Sequence, residues 1–253
     1  MKKLLLLTLL LLPLLTFSQT QLGSDIDGEA ADDQSGWSVS IDSDGSHVAI
    51  GAYNNDGTAF NAGHVRIYSW DGSAWTQVGN DIDGEAADDR SGWSVSIDSD
   101  GSHVAIGAFG NGGNGSYAGH VRIYSWDGSA WAQVGNDIDG EAASDYSGYS
   151  VSIDSDGSHV AIGAYNNDGN GSNAGHVRIY SWDGSAWTQV GNDINGEASA
   201  DRSGYSVSMD SDGSHVAIGA IGNDGNGAGS GHVRTYSWDG SAWTQVGNDI
   251  DGE

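Results

Sequence analysis

Residues 36–52 read GWSVSIDSDGSHVAIGA, and the same phrase begins again with few changes at Gly92, Gly148 and Gly204. The copies begin at a constant interval, so the chain is a tandem array. Residues 37–41 alternate large apolar with small polar side chains, which is typical of a β-strand. The turn residues DSDG and the apolar run 47–52 follow, so the phrase predicts a β-hairpin.

Two more strands are expected in each repeat. A loop rich in Asn, Gly and Asp leads to residues 64–70 (HVRIYSW), and a DGS turn leads to residues 74–79 (AWTQVG). Four antiparallel strands at a period near 50 residues are typical of a propeller blade. We therefore predict an all-β fold, a β-propeller of four 56-residue, four-stranded blades. The array covers residues 19–253, with repeats 23–78, 79–134, 135–190 and 191–246 and a partial repeat 247–253.

The sequence contains one more copy of the fourth strand than it has repeats. Residues 21–23 (QLG) match residues 77–79 (QVG), so an isolated strand precedes four repeats that each have their own. We therefore expect an open or strained ring of four blades, taken from a parent with more. The last residues, 251–253, stop midway through the repeated acidic segment, and we expect a further C-terminal region to carry a targeting or anchoring signal.

Residues 1–18 predict a signal peptide. Two Lys residues precede an apolar run of about 14 residues, which is too short for a membrane span, and small residues precede the expected cleavage site after Ser18. We expect a protein that is secreted or held at the cell surface and has no membrane span after cleavage.

The charge of the chain excludes one class of partner. After cleavage six Arg remain against 35 acidic residues, a net charge of −29, and such a chain repels nucleic-acid phosphates and attracts cations. There is no Cys, so no disulfide stabilises the fold. Ten Trp and ten Tyr argue against a disordered acidic chain.

Burial is expected on both faces of the first two strands, because Ser, Gly and Ala lie opposite Val and Ile. Ile50 should be buried on an inner strand. Trp70 and Trp75 lie further out, and we predict that the Trp residues serve in packing rather than as ligand platforms.

The motifs Gly36-Trp37-Ser38-Val39 and Gly51-Ala52 resemble the FG-GAP repeats of integrin α-subunit propellers, and the bacterial secreted variants are the most similar. The resemblance covers residue 23 to the C-terminus. It implies a propeller, an extracellular setting and often adhesion. Family members often bind calcium in a loop between strands one and two. Here that loop is shortened, with only Asp42 and Asp44 in matching places, so we predict a simple turn.

Carboxylates cluster where the segments that connect blades meet the loops between strands two and three, on what we call the linker face. The Asp-x-Asp-x-Glu spacing of these segments suits hard cations such as calcium. The candidate metal residues are Asp25, Asp27, Glu29, Asp81, Asp83, Glu85, Asp137, Asp139 and Glu141. A solvated acidic rim that keeps the protein soluble is the alternative interpretation.

No catalytic site is predicted, because each candidate residue recurs in the repeats and no nucleophile or metalloprotease motif is present. His47 and His64 begin antiparallel strands and should lie at opposite ends, so structural roles are expected for both. We predict a non-enzymatic extracellular binding, adhesion or scaffold module, whose partner is a protein or a glycan. The alternatives are a calcium-dependent carbohydrate-binding module and a propeller hydrolase or lyase.

Overall fold

The computed structural model describes residues 20–253, and within that range the chain forms strands and turns without a helix. The predicted signal peptide lies outside the described residues. Four successive sheets follow the four sequence repeats, and in each the first strands lie in chain order and pair antiparallel. The prediction of an all-β fold built from repeated blades is confirmed.

The blades have nearly the same strand bounds. The first blade contains β1 (Ser38–Ile41), β2 (His47–Ala52), β3 (His64–Trp70), β4 (Trp75–Gln77) and β5 (Ile82–Asp83). The second contains β6 (Ser94–Ile97), β7 (His103–Ala108), β8 (His120–Trp126), β9 (Trp131–Gln133) and β10 (Ile138–Asp139). The third contains β11 (Ser150–Ile153), β12 (His159–Ala164), β13 (His176–Trp182), β14 (Trp187–Gln189) and β15 (Ile194–Asn195). The fourth contains β16 (Ser203–Met209), β17 (His215–Ala220), β18 (His232–Trp238), β19 (Trp243–Gln245) and β20 (Ile250–Asp251).

The outer strand of each blade differs from the prediction because it is interrupted. In the first blade β4 pairs with one end of β3, and β5 pairs with the other end, where Ile82 lies opposite Val65. Residues 79–81 bulge out between them. Gly79 starts the bulge with a φ of +73°, and a side chain there would clash with the indole of Trp126 in the next blade. The start of the acidic segment therefore belongs to the blade edge rather than to a free linker.

The hydrophobic core lies between consecutive blades. Val95 and Ile97 of the second blade pack on Ala49, Val65 and Ile67 of the first. The same arrangement recurs between blades two and three and between blades three and four. Thus the apolar face of each first strand covers the preceding blade, which explains its alternating pattern.

The Ser residues of the first strands face the following blade. Ser38 Oγ donates to the Gly92 carbonyl over 2.7 Å, and Ser40 Oγ accepts from the Ile97 amide at 3.0 Å. Equivalent bonds join the second blade to the third and the third to the fourth. Small polar side chains at these positions let the first strands of adjacent blades lie side by side.

Within residues 20–253 the blades form an open series. Packing joins consecutive blades, and no comparable interface joins the first to the fourth. Val39 is 64% exposed, whereas the equivalent Val95 is 9% exposed, because only Val95 has a preceding blade to cover. At the other end Ile250 is 62% exposed. These features agree with the predicted open array, and the larger parent stays a prediction.

The predicted extra strand at residues 21–23 is not a strand in the structure. The Leu22 carbonyl accepts a hydrogen bond from Trp75 Nε1 at 3.1 Å, as the Val78 carbonyl does from Trp131. The segment thus occupies the place of a preceding blade's edge and packs on the first blade.

Candidate functional site

The linker face is held together by direct contacts between the connecting segments and the loops after the second strands. Asn55 Nδ2 donates to Asp33 Oδ2 over 3.0 Å, and both side chains are buried. The Asp88 amide donates to the Phe60 carbonyl over 2.9 Å. The prediction that these segments share one face is confirmed.

A row of aromatic side chains crosses the linker face through all four blades. Its inner members directly precede or begin the first strand of each blade. The ring centroids of Trp37 and Trp93 lie 4.7 Å apart, those of Trp93 and Tyr149 5.3 Å, and those of Tyr149 and Tyr205 5.0 Å.

A second rank of rings follows the second strands and fills the gaps of the first rank. Phe109 lies 4.6 Å from Trp93, and Tyr165 lies 4.4 Å from Tyr149. Arg90 places its guanidinium 5.8 Å from the Tyr53 ring and 5.7 Å from the Phe109 ring. We call this set the aromatic row; its members are Trp37, Tyr53, Trp93, Phe109, Tyr149, Tyr165 and Tyr205, and all remain partly exposed.

The Trp residues therefore have two roles. Trp131 packs on the core and donates its indole N–H to the Val78 carbonyl over 2.8 Å, so the predicted packing role is confirmed for the outer Trp residues. Trp37 and Trp93 instead lie in the partly exposed row. The sequence signal for this difference is that their position changes to Tyr149 and Tyr205 in later repeats, whereas the outer Trp residues do not vary.

A buried His faces two carboxylates in every blade. His64 Nδ1 lies 3.9 Å from Glu29 Oε2 and 3.7 Å from Asp81 Oδ2. The imidazole is 1% exposed and the Glu29 side chain is 45% exposed. We call these groups the Glu-His-Asp triads. They are Glu29, His64, Asp81; Glu85, His120, Asp137; Glu141, His176, Asp193; and Glu197, His232, Asp249.

An Arg on the same strand orients the Glu of each triad. Arg66 Nη1 lies 3.8 Å from Glu29 Oε1, the oxygen that does not face His64. Arg66 is buried, and its Nη2 donates to the Asp27 carbonyl over 2.8 Å. The guanidinium thereby connects the acidic segment to the blade and leaves one Glu oxygen directed at the imidazole.

Burial sets the protonation state of the imidazole in two of the triads. It lowers the pKa of His120 and of His176 to about 4, so both imidazoles are neutral near neutral pH. Burial also raises the pKa of Glu85, and the nearby charge of Asp137 raises it further. In the second and third blades a neutral imidazole nitrogen thus lies beside two carboxylates that repel each other.

The structure divides the predicted metal residues between blades. Asp81 faces His64 of the first blade, whereas Glu85 faces His120 of the second. Asp83 lies between Asp81 and Glu85 in the sequence. It is on β5 and pairs with His64 of β3. The triads contain Glu29, Asp81, Glu85, Asp137 and Glu141 and omit Asp25, Asp27, Asp83 and Asp139. Sequence reasoning missed the His of the triads, because the residues of one triad come from positions far apart in the chain.

The hairpin between the first two strands is a closed turn, as predicted. Asp42 Oδ1 accepts from the Ser46 amide over 2.8 Å, and Asp42 Oδ2 lies 2.8 Å from His47 Nδ1. Ser46 Oγ lies 3.0 Å from the same nitrogen. In a hydrolytic triad Ser and Asp contact opposite ring nitrogens, so this arrangement does not activate the Ser hydroxyl. His47 and His64 lie at opposite ends of the β2–β3 pair, as expected.

Similar clefts open at the outer edge of three blades. One has a volume of about 320 Å³ and is lined by Asp81, Asp83, Tyr124 and Trp131. Its counterparts on the first and fourth blades have nearly the same volume and lining. Because they recur, these clefts reflect the blade architecture rather than one specialised pocket.

Residues 138–180 match the family of FG-GAP repeats. No curated protein sequence matches the chain. Within residues 20–253 no helix is long and apolar enough to cross a bilayer.

Solved structures with similar architecture have very different sequences. A Bacteroides uniformis protein described as a 6-phosphogluconolactonase has a TM-score of 0.56 and 12% identity, over 85% of this chain and 56% of that one. The Pseudomonas aeruginosa periplasmic gluconolactonase has a TM-score of 0.53 and 13% identity, over 85% and 57%. Kuenenia stuttgartiensis hydrazine synthase has a TM-score of 0.55 and 10% identity, over 90% and 53%.

The chain spans a little over half the length of these proteins, and at such identities the similarity concerns the fold alone. The matched repeat recurs in all four blades of the chain. By the match at residues 138–180 and its recurrence in the other repeats the chain resembles FG-GAP repeat proteins, and its blades have the β-propeller fold.

Proposed function

We propose that the protein is a non-enzymatic binding module that acts in adhesion outside the cell and contacts its ligand through the aromatic row. The observation that carries the proposal is the row itself, a continuous and partly exposed set of rings on one face. Aromatic side chains bury large areas at little cost in conformational entropy, so they are common anchors in recognition surfaces.

Differences among the repeats support this assignment. The second strand reads HVAIGA in all four copies, whereas the next residue is Tyr53, Phe109, Tyr165 or Ile221. The position beside these rings is equally variable and is occupied by Gln34, Arg90, Tyr146 and Arg202. A scaffold that stays constant while its exposed face varies is expected when the face is adapted to a ligand.

The arrangement of polar groups favours binding over catalysis. The Ser, His and Asp side chains of the hairpin turns meet at a single imidazole nitrogen, and the turn recurs in each blade. The lactonases among the similar structures share the fold at 12 to 13% identity, which supports no transfer of their activity.

The N-terminal sequence and the charge support an extracellular setting. Residues 1–18 have the pattern of a signal peptide, and six Arg against 35 acids disfavour nucleic acids and anionic membranes as partners. Exposed rings bordered by carboxylates suit a neutral glycan, whose sugar rings stack on aromatic faces, or a protein with apolar and basic side chains.

A glycan array and an array of extracellular proteins, each probed with and without calcium, test the proposal. Trp93→Ala and Tyr149→Ala should weaken binding at least about tenfold, as expected for the loss of an aromatic anchor. Phe60→Ala is the matched control, because Phe60 is 66% exposed on the same face but lies outside the row. Equal binding by all three variants would place the ligand elsewhere. Binding to glycans only in the presence of calcium would identify a calcium-dependent carbohydrate-binding module.

A further inference from the structure

The triads contain buried nitrogen atoms without a hydrogen-bond partner among residues 20–253. His176 Nδ1 has none, although the imidazole is 1% exposed and the atom lies 3.8 Å from both Glu141 Oε2 and Asp193 Oδ2. His232 Nδ1 also has no partner, and it lies 3.9 Å from Glu197 Oε2 and 3.7 Å from Asp249 Oδ2. Buried polar atoms normally have a hydrogen-bond partner. One that has no protein partner normally contacts a water molecule or an ion.

We propose that each Glu-His-Asp triad binds a divalent transition metal of the Zn²⁺ class. One imidazole nitrogen and two carboxylate oxygens form a mixed N/O donor set, which suits Zn²⁺ and related ions. Calcium prefers six or more oxygen ligands, and one nitrogen with two carboxylates supplies them poorly. This inference concerns residues outside the aromatic row and does not depend on the ligand of that row.

The distances allow coordination after a small movement. Zn²⁺ bonds to nitrogen and oxygen are about 2.0 to 2.2 Å, which places tetrahedral ligands about 3.4 Å apart. The three donor atoms of every triad lie within 4.8 Å of one another. The imidazole is held in the sheet, whereas the carboxylates are partly exposed, 47% for Glu85 and 31% for Asp137, and can close on the ion. The fourth position remains open to water.

The supporting groups favour a cation at this place. Arg122 Nη1 lies 3.8 Å from Glu85 Oε1, so Oε2 is left to face His120. Such a neighbour orients a metal-binding carboxylate in the way that outer-shell groups do at established sites. A bound cation also offsets the repulsion between the two carboxylates in a chain with excess negative charge.

Coordination would connect consecutive parts of the array. In the second blade, Glu85 comes from the segment before the blade and Asp137 from the segment after it, while His120 lies on β8. A metal there would tie both acidic segments to one strand. The same connection recurs in each blade, so metal binding would stiffen the linker face as a whole.

Isothermal titration of the full chain with Zn²⁺, after treatment with a chelator and its removal, tests the site. His120→Gln should lower the number of bound ions by one, and His120→Gln with His176→Gln should lower it by two. His103→Gln is the matched control, because its Nδ1 is already paired with Asp98 at 2.8 Å, and it should leave the number unchanged. Tetrahedral Co²⁺ absorption should fall in parallel.

Glu85→Gln is a second variant that should leave the fold intact, because this side chain is 47% exposed. It should weaken one site at least about tenfold, as expected for the loss of a coordinating carboxylate. The circular dichroism spectrum should match that of the unsubstituted chain. Absence of Zn²⁺ binding, an unchanged ion count in His120→Gln, or an unchanged affinity of all sites in Glu85→Gln would overturn the proposal. Calcium binding of equal affinity would also overturn it, because an all-oxygen site would then be at work.

Discussion

Asp81 and Glu85 lie close together in the sequence, within one acidic segment, yet they face histidines of different blades. Asp81 Oδ2 lies 3.7 Å from His64 Nδ1 in the first blade, and Glu85 Oε2 lies 4.0 Å from His120 Nδ1 in the second. One short acidic segment therefore contributes to two triads. This relationship makes the linker face a continuous structure in which each blade depends on its neighbours.

Metal should stabilise the folded chain if the triads bind it. A ligand that binds only the folded state adds RT ln(1 + [L]/Kd) to the free energy of unfolding, about 2.7 kcal/mol per site at a concentration 100 times Kd. We expect Zn²⁺ to raise the unfolding midpoint near neutral pH. Differential scanning calorimetry with metal and with chelator measures the change. Sodium chloride of matched ionic strength is the control. Equal stabilisation by both salts would mean that the triads do not bind metal and are only part of a charged surface.

The same side chain should contribute differently in the first and second blades. Ile97 is 7% exposed against the preceding blade, whereas the equivalent Ile41 is 61% exposed. Ile97→Ala should lower the free energy of unfolding by about 2 to 5 kcal/mol, the range for a buried Ile. Ile41→Ala should cost less than about 0.5 kcal/mol, as surface changes do. Chemical denaturation compares them, and equal losses would mean that the first blade is covered in solution.

A pair of glycines tests the close approach of adjacent blades. A side chain at Gly107 would overlap the carbonyl oxygen of Gly148 in the next blade, whereas at Gly219 it would meet only the flexible hydroxyl of Ser206. Gly107→Ala should therefore destabilise the protein by about 1 to 3 kcal/mol or more, and Gly219→Ala by clearly less. Thermal unfolding of the two variants measures this. Similar midpoints would argue against the tight spacing of the inner strands.

The hairpin histidines should make stability depend on pH. The hydrogen bond that His103 donates to Asp98 raises the pKa of His103, and the one that His159 donates to Asp154 raises the pKa of His159. The folded state then binds protons more tightly than the unfolded state, so the stabilisation is complete below the ordinary His pKa of about 6.5 and is lost as the pH rises through the raised values.

The variant with both His103→Gln and His159→Gln should therefore differ more from the unsubstituted chain at about pH 5.5 than at about pH 9. Because the two side chains are 29% and 31% exposed, the difference should be below about 1 kcal/mol per His. Buried histidines such as His120 occur in both proteins, so their effects cancel. Urea denaturation at both pH values gives the comparison, and a larger difference at the higher pH would reverse the assigned sign.

The repeat period and the alternation of side chains determined the architecture. Period-2 patterns and turn residues act locally, so the first three strands of each blade and the simple hairpin turn were predicted correctly. Ile50, 7% exposed, was correctly placed inside for the same reason. The interruption of the outer strand was missed, because it depends on a contact between Gly79 and the indole of Trp126 in another blade.

The sequence by itself also placed the acidic segments and the loops after the second strands on one face, because strand direction alone settles that question. Only the tertiary structure decided which side chains meet there. His64 joins Glu29 and Asp81 from distant positions on either side of it in the chain, and Trp93 joins Tyr149 across a whole repeat. Such contacts arise from the packing of one blade against the next. No local sequence pattern determines which residues of two blades meet.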